Sequence, residues 1–244
     1  MNAALLNTFL FVALPYVAVA VCVAGVTYRY RRRGFTVSSL SSQFLEDRSL
    51  FWGTVPFHVG ILVVFFGHLT AFLFPRATLA WNSIPVRLII LEVTAFTFGL
   101  TVLIGLGALM FRRFTRSRIR AVTSWGDIAL EVLLLGQVIL GLWVALGYRW
   151  GSSWFAADLS PYLWSLARLQ PETSAVFALP WVIKLHIAGA FLIVLVIPFT
   201  RLMHVLVAPL HYLVRPYQQV IWNWNRRAVR DAGTAWSPTR PQNN

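Results

Sequence analysis

FHVGILVVFFGHL, residues 57–69, sets two imidazoles, His58 and His68, into a run that is otherwise apolar or glycine. Water cannot reach such a run once it is buried, so the rings need partners of another kind. The run extends to about residues 53–75, longer than the ~20 apolar residues that cross a ~30 Å hydrocarbon core. Four further stretches meet the same requirement, at about residues 5–28, 88–111, 125–147 and 179–207. With 58% hydrophobic and 12% charged residues in 244, the chain reads as all-α: a polytopic membrane protein with a single five-transmembrane-helix bundle. Residues 1–225 make up that domain. The Pro-, Asn- and Thr-containing segment 226–244 has no periodicity and reads as a disordered tail.

A net charge of +13 raises the question of nucleic acid. The arginines, however, stand at the ends of spans and not on a soluble basic domain or stripe, which excludes that class of partner and implies membrane lipid instead. Arg29, Arg31, Arg32, Arg33 and Arg48 lie between the first and second spans. Arg112, Arg113, Arg116, Arg118 and Arg120 lie between the third and fourth. Arg201, Arg215, Arg226, Arg227, Arg230 and Arg240 lie at or beyond the end of the fifth. The opposite side carries Arg76, Arg87, Arg149, Arg168 and Lys184. The positive-inside rule then predicts an inner-membrane protein with its N-terminus outside and its C-terminus in the cytoplasm. The first span has no basic residue before it and RYRRR after it, the reverse of a cleavable signal, so it is expected to be retained. Trp52, Trp81, Trp125, Trp150, Trp154 and Trp181 fall near span ends, where amphipathic rings anchor at headgroup level. Cys22 is the only cysteine, which rules out an internal disulfide, a cysteine-ligated cluster and covalent haem attachment.

Four of the five histidines are intramembrane: His58 and His68 in the second span, His186 and His204 in the fifth, with His211 beyond the last apolar run. Ionisable groups are costly in a bilayer, and four on two spans call for a joint explanation. The second and fifth spans run antiparallel, which pairs His58 with His204 toward the cytoplasm and His68 with His186 toward the outside. Ten residues of helix rise about 15 Å and eighteen about 27 Å, so the two levels stand on the order of 20 Å apart. Eighteen residues are five full turns and put His186 and His204 on one face, while His68 is rotated ~80° from His58; tilt and a kink at Pro198 are expected to absorb the mismatch. Two neutral imidazoles on facing helices suit the axial positions of a six-coordinate haem, with Gly60, Gly67 and Gly189 relieving crowding at the ring plane. Zinc needs three or four ligands at one point. A proton relay ordinarily includes intramembrane carboxylates, and neither span has one. Arg112 or Arg113, in FRRFTRSRIR, is a candidate partner for a haem propionate, although the same cluster also reads as a positive-inside loop. A transporter or channel remains the contrasting class, with Glu92 and Glu131 as its intramembrane candidates.

The contexts FHVGI, GHLTAF, KLHIAGAF and RLMHVLVAPLHYLVRPYQ, together with RSRIRAVTSWGDI after the third span, resemble the gamma subunit of respiratory nitrate reductase, a di-haem cytochrome b membrane anchor. The likeness runs from about residue 5 to residue 222. It implies two haem b groups, His58 with His204 on the inner one and His68 with His186 on the outer. It further implies oxidation of a membrane quinol near the outer haem, and delivery of electrons to an iron–sulfur beta subunit and a molybdenum-containing alpha subunit that reduces nitrate. Nitrate chemistry would then lie outside this chain. A basic residue after the second span is linked to quinol in that family, and WNSIPVRLI offers Arg87 where the family pattern has Lys; as a residue type, Arg87 is equally suited to interfacial anchoring. A cytochrome b anchor of another quinone-linked reductase or dehydrogenase is the neighbouring alternative. The outer segment 148–179 and the tail after Arg226 match no pattern of the family.

Overall fold

The structure, a computed structural model, describes residues 2–32 and 48–206; His211 and the tail 226–244 lie outside the described residues. Among the described residues five helical segments are long and apolar enough to span a membrane: α1 Ala3–Arg32, α2 Arg48–Leu73, α3 Pro85–Thr115, α4 Trp125–Gly147 and a fifth, Trp181–Phe199, whose regular helix is α5 Trp181–Val196. Hydrocarbon offers backbone groups no partner, so an apolar segment must satisfy them internally, and a helix does so. The ends follow local chemistry. Pro85 opens α3 from the first turn, where its missing N–H costs nothing. Ser124 and Asp127 form a reciprocal capping box at the start of α4, with Ser124 Oγ accepting from Asp127 N at 3.2 Å and Asp127 Oδ2 accepting from Ser124 N at 3.0 Å. Arg116 turns extended and stops α3.

Helix α2 packs along α3; α3 touches α4; and α5 packs on α4 and α1. No substantial contact joins α2 to α5. The α2–α3 seam is made by small residues that let backbones approach, as is common where lipid removes the hydrophobic drive for helix association. Gly60, expected beside a haem plane, lies instead in this seam, where an added Cβ would fall 2.7 Å from Val102 Cγ2 and 2.8 Å from the Phe98 carbonyl. Gly189 likewise packs against Gln137 of α4. Gly67 has open space where its Cβ would be. Gly105 is the tightest point of the seam: a Cβ there would meet the backbone of Phe57 at 2.5 Å and the Gly53 carbonyl at 2.9 Å. Backbone cannot swing aside as a side chain can, so Gly105→Ala is expected to force α2 and α3 apart and cost about 1–3 kcal/mol, the usual range for overpacking. A thermal melt of the purified protein, reading a lower Tm than Gly107→Ala, where the Cβ meets open space, checks it.

Residues 148–180 fold over one end of the bundle as a series of short helices, among them Ser160–Ala167 and Ser174–Ala178. Leu159, Tyr162, Leu166 and Val176 of the cover pack with Phe11, Val144, Ile183 and Ile187 of the spans. Polar groups finish the join. Ser160 Oγ donates to the Ala71 carbonyl at 3.0 Å and Trp164 Nε1 to the Phe72 carbonyl at 3.0 Å, satisfying acceptors that the last turn of α2 leaves over. Tyr162 OH donates to the Phe11 carbonyl at 2.8 Å, inside a π-helical turn of α1. Burial, and then the neighbouring Tyr16, pushes the Tyr162 phenol above its ordinary value, so it remains the donor this bond requires.

The fifth span departs from the expected continuous helix over 179–207. Regular helix ends at Val196, a 3₁₀ turn follows at Ile197–Phe199, Thr200 is extended (φ −125, ψ 179), and a second 3₁₀ turn runs Arg201–Val205. Pro198 has no N–H to continue the ladder, and Thr200 Oγ1 caps both sides of the break by donating to Val196 O at 2.9 Å and accepting from Leu202 N at 3.4 Å. His204 therefore stands on a separate turn, and the five-turn rule that placed it on the face of His186 does not apply. That turn is moored by Arg201, whose Nε meets Asp127 Oδ1 at 2.7 Å at the head of α4.

Candidate histidine-ligand site

The four histidines lie on α2, on α5 and on the turn that follows α5, at two levels of the bundle. At the arginine-rich end, the rings of His58 and His204 face each other with centres 6.1 Å apart and planes tilted by 60°. An imidazole nitrogen binds a first-row metal at about 2 Å, and each ring centre lies roughly 1 Å further back, so an axial pair on one metal has centres about 6 Å apart. The observed separation fits that requirement.

The tautomers fit as well. His58 Nδ1 lies 2.8 Å from the Thr54 carbonyl, His68 Nδ1 2.8 Å from the Val64 carbonyl, and His204 Nδ1 2.6 Å from the Arg201 carbonyl. A carbonyl can only accept, so in each ring Nδ1 carries the proton and the lone pair of Nε2 is left for a metal. Among the described residues no group of three or more His, Cys, Asp or Glu gathers at one point. Pairs of imidazoles suit a macrocycle that brings its own four equatorial donors, and not a bare ion that needs three or four protein ligands.

His68 of α2 and His186 of α5 stand at the opposite level. The His68 ring meets the ring of Phe155, from the covering segment, edge to face at 5.4 Å. The His186 ring lies against Gly141 of α4, where an added Cβ would stand 2.9 Å from its Cε1. Glycine at 141 thus makes room for an imidazole that any side chain there would displace.

The arginines separate into different roles. Arg113 Nε is paired with Glu131 Oε1 at 2.7 Å, its Nη1 stands 3.7 Å from Asp127 Oδ2, and Nη1 also donates to Thr123 Oγ1 at 3.1 Å. It joins α3 to α4. Arg112 is buried and lines a cleft of about 370 Å³ with Trp52, Ala108, Phe111, Thr115 and Arg116. Arg87 is exposed at the covered end, its guanidinium 5.0 Å from the centre of the Trp81 ring. Glu92 accepts from Ser152 N at 2.8 Å and Ser152 Oγ at 2.6 Å, tying α3 to the covering segment. Glu92 and Glu131, the carboxylates a transport reading needs, are both engaged in joining elements.

Sequence reasoning passed over Asp127, Arg201, Gln137 and Gly141. Ser124-x-x-Asp127 is a legible capping signature. The Asp127–Arg201 pair spans 74 positions and Gln137–His186 spans 49, and nothing local announces either.

With no strand among the described residues and five helices able to span a membrane, the chain is a polytopic membrane protein. The sequence model of the nitrate reductase gamma subunit family matches residues 7–223. The respiratory nitrate reductase 2 gamma chain of Escherichia coli (strain K12) is 33% identical over 218 residues, covering 88% of this chain and 96% of that one. The nitrate reductase gamma chain of Bacillus subtilis (strain 168) is 30% identical over 208 residues, covering 84% and 93%. The respiratory nitrate reductase 1 gamma chain of Escherichia coli (strain K12) is 32% identical over 220 residues, covering 88% and 97%. The chain belongs to the nitrate reductase gamma subunit family. It is a multi-pass membrane-anchor subunit, one part of a nitrate reductase complex that has catalytic partner subunits.

Proposed function

We propose that this chain oxidises quinol at the covered end of the bundle, on the outer face of the inner membrane, and passes the electrons through two b haems to a cytoplasmic iron–sulfur beta subunit and, beyond it, to a molybdenum-containing alpha subunit that reduces nitrate. The observation that carries the reading is the His58–His204 pair, 6.1 Å between ring centres, brought together from α2 and from the turn that follows α5. When bound, haem supplies one-electron redox chemistry in the low-dielectric interior. His58 and His204 would hold the inner group and His68 and His186 the outer, each through Nε2.

A neutral quinol loses two electrons and two protons in becoming a quinone. Oxidation at the covered end leaves both protons outside while both electrons move inward, and the excess of arginine at the other end supports this orientation. Arg87 would donate a charge-assisted hydrogen bond to a quinol oxygen. Arg112, buried at the inner level, would face a propionate carboxylate; Arg113, held by Glu131, keeps the two helices beside it together.

In the purified complex, Arg87→Ala is expected to slow quinol-dependent haem reduction by one to two orders of magnitude, about 1.4 kcal/mol for each tenfold, while both haems remain bound. Stopped-flow absorbance checks it. Reduction at the wild-type rate would make Arg87 an anchor on Trp81 and nothing more.

A further inference from the structure

Three of the four paired histidines hand the Nδ1 proton to a backbone carbonyl, at 2.6 to 2.8 Å. His186 does not. Its Nδ1 is buried without a partner, although it sits within regular helix. The backbone carbonyl of His186 receives Gln137 Nε2 from α4 at 2.9 Å, and the other atom of that amide, Oε1, is also buried without a partner. Because a carbonyl cannot donate, the bond fixes which end of the amide is nitrogen and leaves Oε1 as a pure acceptor. Gln137 and Gly141 lie four residues apart on one face of α4, and both touch His186, one at its carbonyl and one at its ring. Gly189, close to Oε1, has no side chain to block it. An acceptor and a ring nitrogen, each costly to leave buried and unpaired, thus flank the same turn of α5.

We propose that Gln137 is the positioning residue of the outer haem: its amide pins the turn that carries His186, and its Oε1 is the acceptor for the Nδ1 proton when Nε2 binds iron. The inference rests on reading His186 as a haem ligand. An accepted Nδ1 proton makes an imidazole more basic and favours the oxidised metal. The inner pair relies on backbone carbonyls for this, which no substitution removes; the outer pair relies for one ligand on a side chain. Gln137 thereby sets the potential of one haem independently of the other.

The test is a redox titration with low-temperature EPR on the purified complex bearing Gln137→Leu, Gln137→Met or Gln137→Glu. Leu and Met remove the acceptor, and Met keeps nearly the length and volume of Gln should Leu disturb packing. Both are expected to favour the reduced outer haem about tenfold, a rise of 59 mV for one electron. They should also shift the g values of its oxidised low-spin signal, with two haems per chain retained and the inner haem unmoved. Gln137→Glu keeps an acceptor and is expected to leave the outer potential at or below that of wild type. The inference is overturned if Leu and Met stay within threefold of wild type, or if Glu raises the potential as they do. A wild-type protein without an outer haem would instead sink the ligand reading itself, and the same titration separates the two failures.

Discussion

Purified from membranes, the His68→Ala and His186→Ala proteins are expected to hold one b haem per chain in place of two, with the remaining signal that of the inner group. Each substitution removes one of two axial donors. His58→Ala and His204→Ala are expected to remove the inner haem in the same way, whereas His211→Ala should leave two. Stability should follow content, since α2 and α5 have no substantial direct contact and a haem ligated from both is what would bridge them. A ligand present at a hundred times its Kd stabilises the fold by about 2.7 kcal/mol, and that contribution goes with the haem. Pyridine haemochrome stoichiometry together with a thermal melt reads both effects. Loss of a haem in His211→Ala, or two haems retained in His186→Ala, would show the ligand set to be wrong.

Asp127→Ala is expected to disturb the inner haem selectively, although Asp127 is not a ligand. Its carboxylate serves three partners at once: the Ser124 amide in the capping box, Arg201 at 2.7 Å and Arg113 at 3.7 Å. Arg201 begins the turn on which His204 stands and supplies, through its carbonyl, the acceptor for His204 Nδ1. Without Asp127 that turn loses its mooring to α4, and the 6.1 Å separation of the two rings is no longer enforced. Losing a cap costs about 1 kcal/mol. Breaking a buried ion pair costs about 3–5 kcal/mol, but Arg201 is 43% exposed and screened, so a total of about 2–3 kcal/mol is expected. Asp127→Asn retains the cap and loses the charge, and should fall between. The readout is a lower Tm with a broadened inner-haem EPR signal and an unchanged outer one; equal effects on both haems would contradict the mooring.

The spans were legible because length and apolar content suffice to define them: the expected stretch 125–147 is α4, residue for residue, and the others agree to within a few positions at most ends. The nearness of His58 and His204 was legible through topology alone, because antiparallel helices bring their like ends together. The mechanism supporting it was not. Pro198 was read as a kink in a continuous helix, but with Thr200 extended and Arg201 drawn to Asp127 the helix breaks, and a proline by itself does not announce which will occur. Gly60 looked like space for a macrocycle and is a seam glycine; an absent side chain does not say which neighbour needs its absence. Arg112 and Arg113 were indistinguishable as neighbours in FRRF, yet a helix points successive residues about 100° apart, so one faces Glu131 and the other the cleft beside Trp52. Gln137 carried no signal, since a lone amide in a span reads as ordinary interhelical bonding.

The central claim, two haems held by four histidines and fed by quinol, meets its most direct test in one absorbance experiment on the wild-type complex: the spectrum before and after anaerobic addition of a quinol, with haem counted against protein. Two b-type haems per chain, both reduced by quinol alone, are the expected result. A preparation of the intact complex with no haem absorbance, or with haems that quinol leaves oxidised, would contradict it.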